Sequence, residues 1–143
     1  MQKLVLMTLI LISPLAWSAE HKVKMLNQGE DGSMVFEPGY LQVEPGDTVT
    51  FVPVDQSHNS QSALSPDGGE SWKGSINEKV SVTLNTEGVY IYKCLPHLSL
   101  GMVGVIQVGE ATNLQAAKDK AASMKGGMAM NKDRLGQYLD QVE

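Results

Sequence analysis

Apolar and polar residues alternate with a period of two in short runs bounded by Gly, Pro, Asn and Asp, which predicts β-strands joined by turns. Seven runs fit, over residues 23–26, 34–36, 40–43, 48–54, 79–84, 89–94 and 103–108. The clearest sets Val80, Val82 and Leu84 on one face and Ser81 and Thr83 on the other, a strand with one buried side. Within 89–94 the same rule places Tyr90, Tyr92 and Cys94 on one face and Val89, Ile91 and Lys93 on the other, with Cys94 at the strand end. Glu44-Pro45-Gly46-Asp47 and Asn85-Thr86-Glu87-Gly88 supply turns. Strands at this spacing predict an all-β sandwich.

Beyond Gly109 the period changes. Thr112 to Gln115 has capping-box form, and Leu114, Ala117 and Ala121 recur at helical spacing, which predicts a helix to about residue 124. Lys125-Gly126-Gly127 breaks it, and Leu135, Tyr138, Leu139 and Val142 form a second helical stripe that needs an apolar surface, for which a sandwich face is the natural choice. No internal repeat or interdomain linker is visible. The chain therefore divides into a β-sandwich over 20–111 and a helical extension of the same domain over 112–143.

The first residues follow neither pattern. A basic start at Lys3 precedes an apolar run from Leu4 to Ile12 broken only by Thr8, then Ser13-Pro14 and Ala16-Trp17-Ser18-Ala19. This is the anatomy of a secretory signal peptide over 1–19, cleaved after Ser18 or Ala19, and the run is short of the roughly 20 apolar residues of a membrane anchor. The expected product is a small exported protein with no membrane attachment once the leader is removed.

With 143 residues, 42% of them hydrophobic and 19% charged, the chain can bury one core but not build a multidomain enzyme. Its 11 basic residues stand against 16 acidic ones, and Lys3 is the only charge lost with the leader. An acidic chain without a basic run has no electrostatic footprint for nucleic acid.

Export gives the single cysteine its meaning, because a lone thiol in an oxidising compartment is either buried or bound. Cys94-Leu95-Pro96-His97-Leu98-Ser99-Leu100-Gly101-Met102 puts a thiolate, an imidazole and a thioether on one loop between two predicted strands. Loops at one end of a sandwich cluster, so His58 can join them. Two imidazoles and a thiolate with a weak axial thioether suit electron-transfer copper. Pro96 stiffens the loop, and Asn59 is placed to tie the His58 and Cys94 loops together by bonding near the sulfur.

Other chemistry fits less well. Zinc prefers four firm donors, and a thioether is a poor fourth. Haem attachment needs a second cysteine. A cysteine hydrolase needs a substrate pocket and an oxyanion hole that nothing here marks, so no enzyme activity is expected. Copper delivery remains the alternative to electron transfer, since sulfur and imidazole also suit carriage and Met124, Met128 and Met130 flank a Gly-Gly turn that offers Cu(I) ligands. His21 reads as a solvated surface residue, and Met34 and Phe36 as core.

At Met34-Val35-Phe36-Glu37-Pro38, Pro45 to Phe51, His58-Asn59, Cys94-Leu95-Pro96-His97 and Gly101-Met102-Val103-Gly104, the chain resembles the blue copper proteins (cupredoxins) and, within them, the pseudoazurins. The resemblance implies a cupredoxin-type Greek-key sandwich with two C-terminal helices and one type 1 copper held by His58, Cys94, His97 and Met102. It further implies a monomeric periplasmic one-electron carrier, docking transiently around an exposed His97 edge with redox partners such as copper nitrite reductase or a cytochrome c. Leu95, Pro96, Leu98 and Leu100 fit the apolar patch expected there. Pseudoazurins often ring that patch with lysines, whereas this chain offers only scattered ones such as Lys24, Lys73 and Lys93.

Overall fold

The computed structural model describes residues 17–143; the apolar run of the leader lies outside them. Eight strands, β1 (Glu20–Gly29), β2 (Gly32–Glu37), β3 (Tyr40–Val43), β4 (Asp47–Pro53), β5 (Gln61–Leu64), β6 (Val80–Leu84), β7 (Gly88–Lys93) and β8 (Val103–Val108), precede helices α1 (Leu114–Met124) and α2 (Arg134–Leu139). One sheet has the order β2-β1-β4-β6 and the other β3-β8-β7-β5. The chain changes sheet at every step from β2 to β7, giving the expected cupredoxin Greek-key sandwich.

The period-two reading holds where a strand has one wet face. On β4 and β6 the inward residues Val49, Phe51 and Leu84 are buried, while Thr48 faces Thr83 and Thr50 faces Ser81 through hydroxyl contacts of 2.8 and 2.7 Å on the outer side. Strand β7 is buried on both sides. Tyr90, Tyr92 and Cys94 enter the core between the sheets, and Val89 and Ile91 enter a second core beneath the helices with Ala117, Ala121, Leu135, Tyr138 and Leu139. The helical stripe thus covers a sandwich face, as its apolar positions require.

Four local expectations change. Strand β5 was not expected: its Gln-Ser-Ala-Leu sequence lacks apolar alternation, and it forms by pairing with β7 through a bulge. The capping box before α1 does not form. Asn113 instead spends its side chain on strand β7, accepting from Val89 N at 2.6 Å and donating to Val89 O at 2.9 Å, while Thr112 Oγ1 donates to Glu87 O. His21 is not freely solvated, because Nε2 lies 2.8 Å from Asp47 Oδ2. The fourth concerns Cys94, which sits one residue past the end of β7.

Direction matters for the site. Strands β1 and β4 run parallel, and β7 runs antiparallel to β8. The exits of β1, β4 and β7 and the entry to β8 therefore meet at one end of the sandwich, where Asn27, His58, Cys94 and Met102 lie.

Candidate metal centre

His58 follows β4 and is completely buried. Its main-chain oxygen accepts from Asn77 N at 2.8 Å, and its Nε2 donates to Asn27 Oδ1 at 2.9 Å. That bond assigns the proton to Nε2 and leaves Nδ1 presenting its lone pair toward the loop after β7. Asn27, thirty-one positions upstream, carried no local sequence signal; only the parallel pairing of β1 with β4 brings it here.

The loop from Cys94 to Met102 closes on itself. Cys94 N donates to Met102 O at 3.0 Å, and Met102 N to His97 O at 3.2 Å. His97 N donates to Cys94 O, and a 3-10 turn at Leu98–Leu100 ends at Gly101 in the left-handed region. These bonds aim His97 Nδ1 inward, 3.4 Å from Cys94 Sγ and 3.1 Å from His58 Nδ1, and the third side, Cys94 Sγ to His58 Nδ1, is 3.8 Å.

A point equidistant from these three atoms lies about 2 Å from each, the bond length of a first-row metal to imidazole nitrogen, with a thiolate bond slightly longer. Met102 is fully buried at the inner edge of the same loop. Three converging donors, two nitrogens and one sulfur, backed by a thioether residue, suit a metal that tolerates both soft and borderline ligands.

Electrostatics act oppositely on the two buried donors. Burial lowers the His58 imidazole below its ordinary value; the neighbouring His97 adds to this and Asp55 opposes it. Burial pushes the Cys94 thiol up, opposed by the backbone N–H groups of Asn59 and His97. The thiol must release its proton on ligation. The Asn59 expectation is met: its Oδ1 accepts from Leu95 N at 2.7 Å, while its Nδ2 donates to Gly74 O at 3.1 Å.

The sequence-named residues otherwise separate cleanly. Met124 and Met128 are buried in the helical core, and Met130 is exposed. Phe36 is core, and Met34 packs against the core partly buried. His97 is half-buried, with Leu95 and Pro96 exposed beside it, whereas Leu98 also packs toward the helical core.

Residues 23–109 match the copper binding proteins, plastocyanin/azurin family. The chain belongs to that family. More narrowly, it is 44% identical over 137 residues to a pseudoazurin of Paracoccus pantotrophus, covering 94% of this chain and 91% of that one. It is 50% identical over 104 residues to a putative pseudoazurin of Rhizobium leguminosarum bv. viciae, covering 71% and 68%. Native pseudoazurin from Hyphomicrobium denitrificans superposes with a TM-score of 0.77 at 38% identity, over 87% of this chain and 98% of that one. This cupredoxin is therefore a copper-binding electron carrier of the pseudoazurin branch, and copper is the metal its donor set fits.

Proposed function

We propose that His58, Cys94, His97 and Met102 hold one copper ion as a type 1 site, and that the protein carries single electrons between partners in the periplasm. The observation that carries this reading is the triangle of His58 Nδ1, His97 Nδ1 and Cys94 Sγ, with sides of 3.1, 3.4 and 3.8 Å, two of its residues buried and His97 half-buried.

Bound copper supplies a one-electron couple. Everything else is done by the chain. His58 and Cys94, both buried, fix the donor set from below, and the Asn59 bridge holds their two loops in register. His97 is half-buried next to exposed Leu95 and Pro96, so a partner docked there would exclude water from the shortest path to the site. Small interfaces with few desolvated anchors give the rapid dissociation a shuttle needs, and charge chiefly steers the approach. The acceptor proposed is a reductase such as copper nitrite reductase, and the donor a protein such as a cytochrome c. The carrier acts as a monomer.

An export leader is proposed within the first 19 residues, cleaved after Ser18 or Ala19, followed by the sandwich to residue 111 and its helical extension over 112–143. Of the two cleavage positions, the structure favours the bond after Ser18. Ala19 N donates to Asp47 Oδ1 at 2.8 Å and Ala19 O accepts from Thr48 N at 2.9 Å, and removing Ala19 would forfeit both. Among the described residues no helix is long and apolar enough to cross a membrane. N-terminal sequencing of the exported protein tests the position.

A copper titration followed by visible absorption tests the site. One equivalent should give an intense thiolate charge-transfer band that bleaches and returns on reduction and oxidation, and Met102→Gln should keep the copper while shifting the potential. Colourless tight binding of Cu(I), with transfer to a chelating partner, would establish the delivery reading instead. Oxidation of the reduced protein by nitrite in the presence of a copper nitrite reductase tests the partner.

A further inference from the structure

Arg134, the first residue of α2, is a cation that is 95% buried, since only 5% of it is exposed. Among the described residues it makes no salt bridge. Its guanidinium is satisfied by four main-chain carbonyls: Nη1 donates to Gly101 O at 2.8 Å and Met34 O at 2.9 Å, and Nη2 to Asp31 O and Ser33 O, both at 3.1 Å. A buried charge is tolerated only when its donors are filled, and a planar five-donor fork can fill this cage as no lysine can.

Gly101 immediately precedes Met102, and its neighbours are held from the same side. Ser99 O accepts from Ala129 N at 2.8 Å and Met130 N at 3.1 Å, and Leu100 O accepts from Asn131 Nδ2 at 2.9 Å. Three consecutive carbonyls of the loop carrying His97 and Met102 are therefore bonded to residues 129–134. The fit is close, because a Cβ on Gly101 would meet Asn131 Cβ and Met130 O at 2.8 Å.

We propose that the segment Ala129 to Arg134 is an external splint on the copper-ligand loop, with Arg134 as the positioning residue that fixes the Gly101-Met102 end against the β1–β2 turn. The cation spans three pieces of chain, the turn residue Asp31 with the start of β2 to Met34, the ligand loop and α2. The loop's inner side is held by Asn59 and its outer side by this segment. Arg134 touches no proposed ligand atom; it acts on Met102 through the main chain of Gly101. This rests on the copper-site reading given above.

The test compares Arg134→Met, which keeps the aliphatic stem and removes every donor, with Arg134→Lys, Asn131→Gly and Leu139→Val in the copper-loaded protein. Asn131 has φ 50°, so glycine keeps its backbone while deleting the bond to Leu100 O. Leu139→Val thins the packing of the same helix without touching the loop. Expected for Arg134→Met are an altered ratio of the visible bands and a shifted potential. The Met102 and Cys94 amides should also exchange hydrogen at least about tenfold faster in the reduced state, the equivalent of one lost charge-assisted bond. Arg134→Lys should recover these only in part. Asn131→Gly should show the same signs more weakly, and Leu139→Val should lower the melting temperature alone. If Arg134→Met does not fold, Asn131→Gly against Leu139→Val decides the matter. An unchanged spectrum, potential and loop exchange in the folded splint variants overturns the proposal and leaves Arg134 a packing residue. Absence of the thiolate band in the unaltered protein overturns the copper-site reading and this one with it.

Discussion

His58 and His97 offer the same atom, Nδ1, to the same point in space, yet the fold treats them oppositely. His58 is sealed from solvent, with Nε2 bonded to Asn27 and its main chain bonded to Asn77. His97 sits half-exposed on a loop held through its own main-chain bonds, the Asn59 side chain and the segment behind it. The difference shows how a metal centre can be both rigid and reachable. In the proposed copper site, one imidazole belongs to the sandwich and would resist displacement, and the other lies nearer the surface and would meet partners.

The sharpest way to break this comparison is to delete each ring in turn. In His97→Gly, added imidazole should enter from solvent and restore most of the visible absorption; in His58→Gly it should restore little, because the gap is closed over. Equal rescue by titration with free imidazole would erase the distinction. Next in size, Asn59→Leu should destabilise the protein by about 2 kcal/mol, since Leu95 N and Gly74 O both lose a buried partner, with a lowered melting temperature and a shifted visible band. On the exposed side, Leu95→Asp should slow electron transfer to a partner about tenfold, roughly 1.4 kcal/mol of lost apolar contact, while leaving the absorption spectrum alone. Leu95 is 53% exposed, which makes it a cleaner probe than Leu98→Asp, whose side chain also supports the helical core.

The smallest effect on the site is expected from Asp47, at the far end of the sandwich. Burial alone would raise its carboxyl, but hydrogen bonds from Ala19 N, His21 and Glu44 N outweigh burial and hold it below the usual range. A depressed folded value means that its contribution is present at neutral pH and fades as acid carries the carboxylate through that value. Melting curves of Asp47→Asn and the unaltered protein should therefore converge on acidification below pH ~4, with the visible spectrum of the variant unchanged at neutral pH.

The same contrast marks what the sequence could disclose. Strands with one wet face announced themselves by alternation, and the ligand loop by its packed Cys, His and Met. His58 was reachable by argument because sandwich loops cluster. Asn27 was not, since its role depends on a parallel pairing that leaves no trace in local spacing. Strand β5 was missed because its partner, not its own residues, makes it a strand. Arg134 stands just before the apolar stripe of α2, and a pattern that sorts residues into wet and dry assigns an arginine to water. Its burial follows only from four carbonyls brought together across about a hundred positions of chain.

Strand direction also decides where the chain can be handled. Ala19 is bonded to Asp47 and Thr48 at the start of β4, and the main chain of Glu143 is clasped by Gln107 near the end of β8, both at the pole opposite His97. A dye, an electrode linker or a fused domain grafted at either position would hang from the base of the molecule and leave the pole of His97 unobstructed.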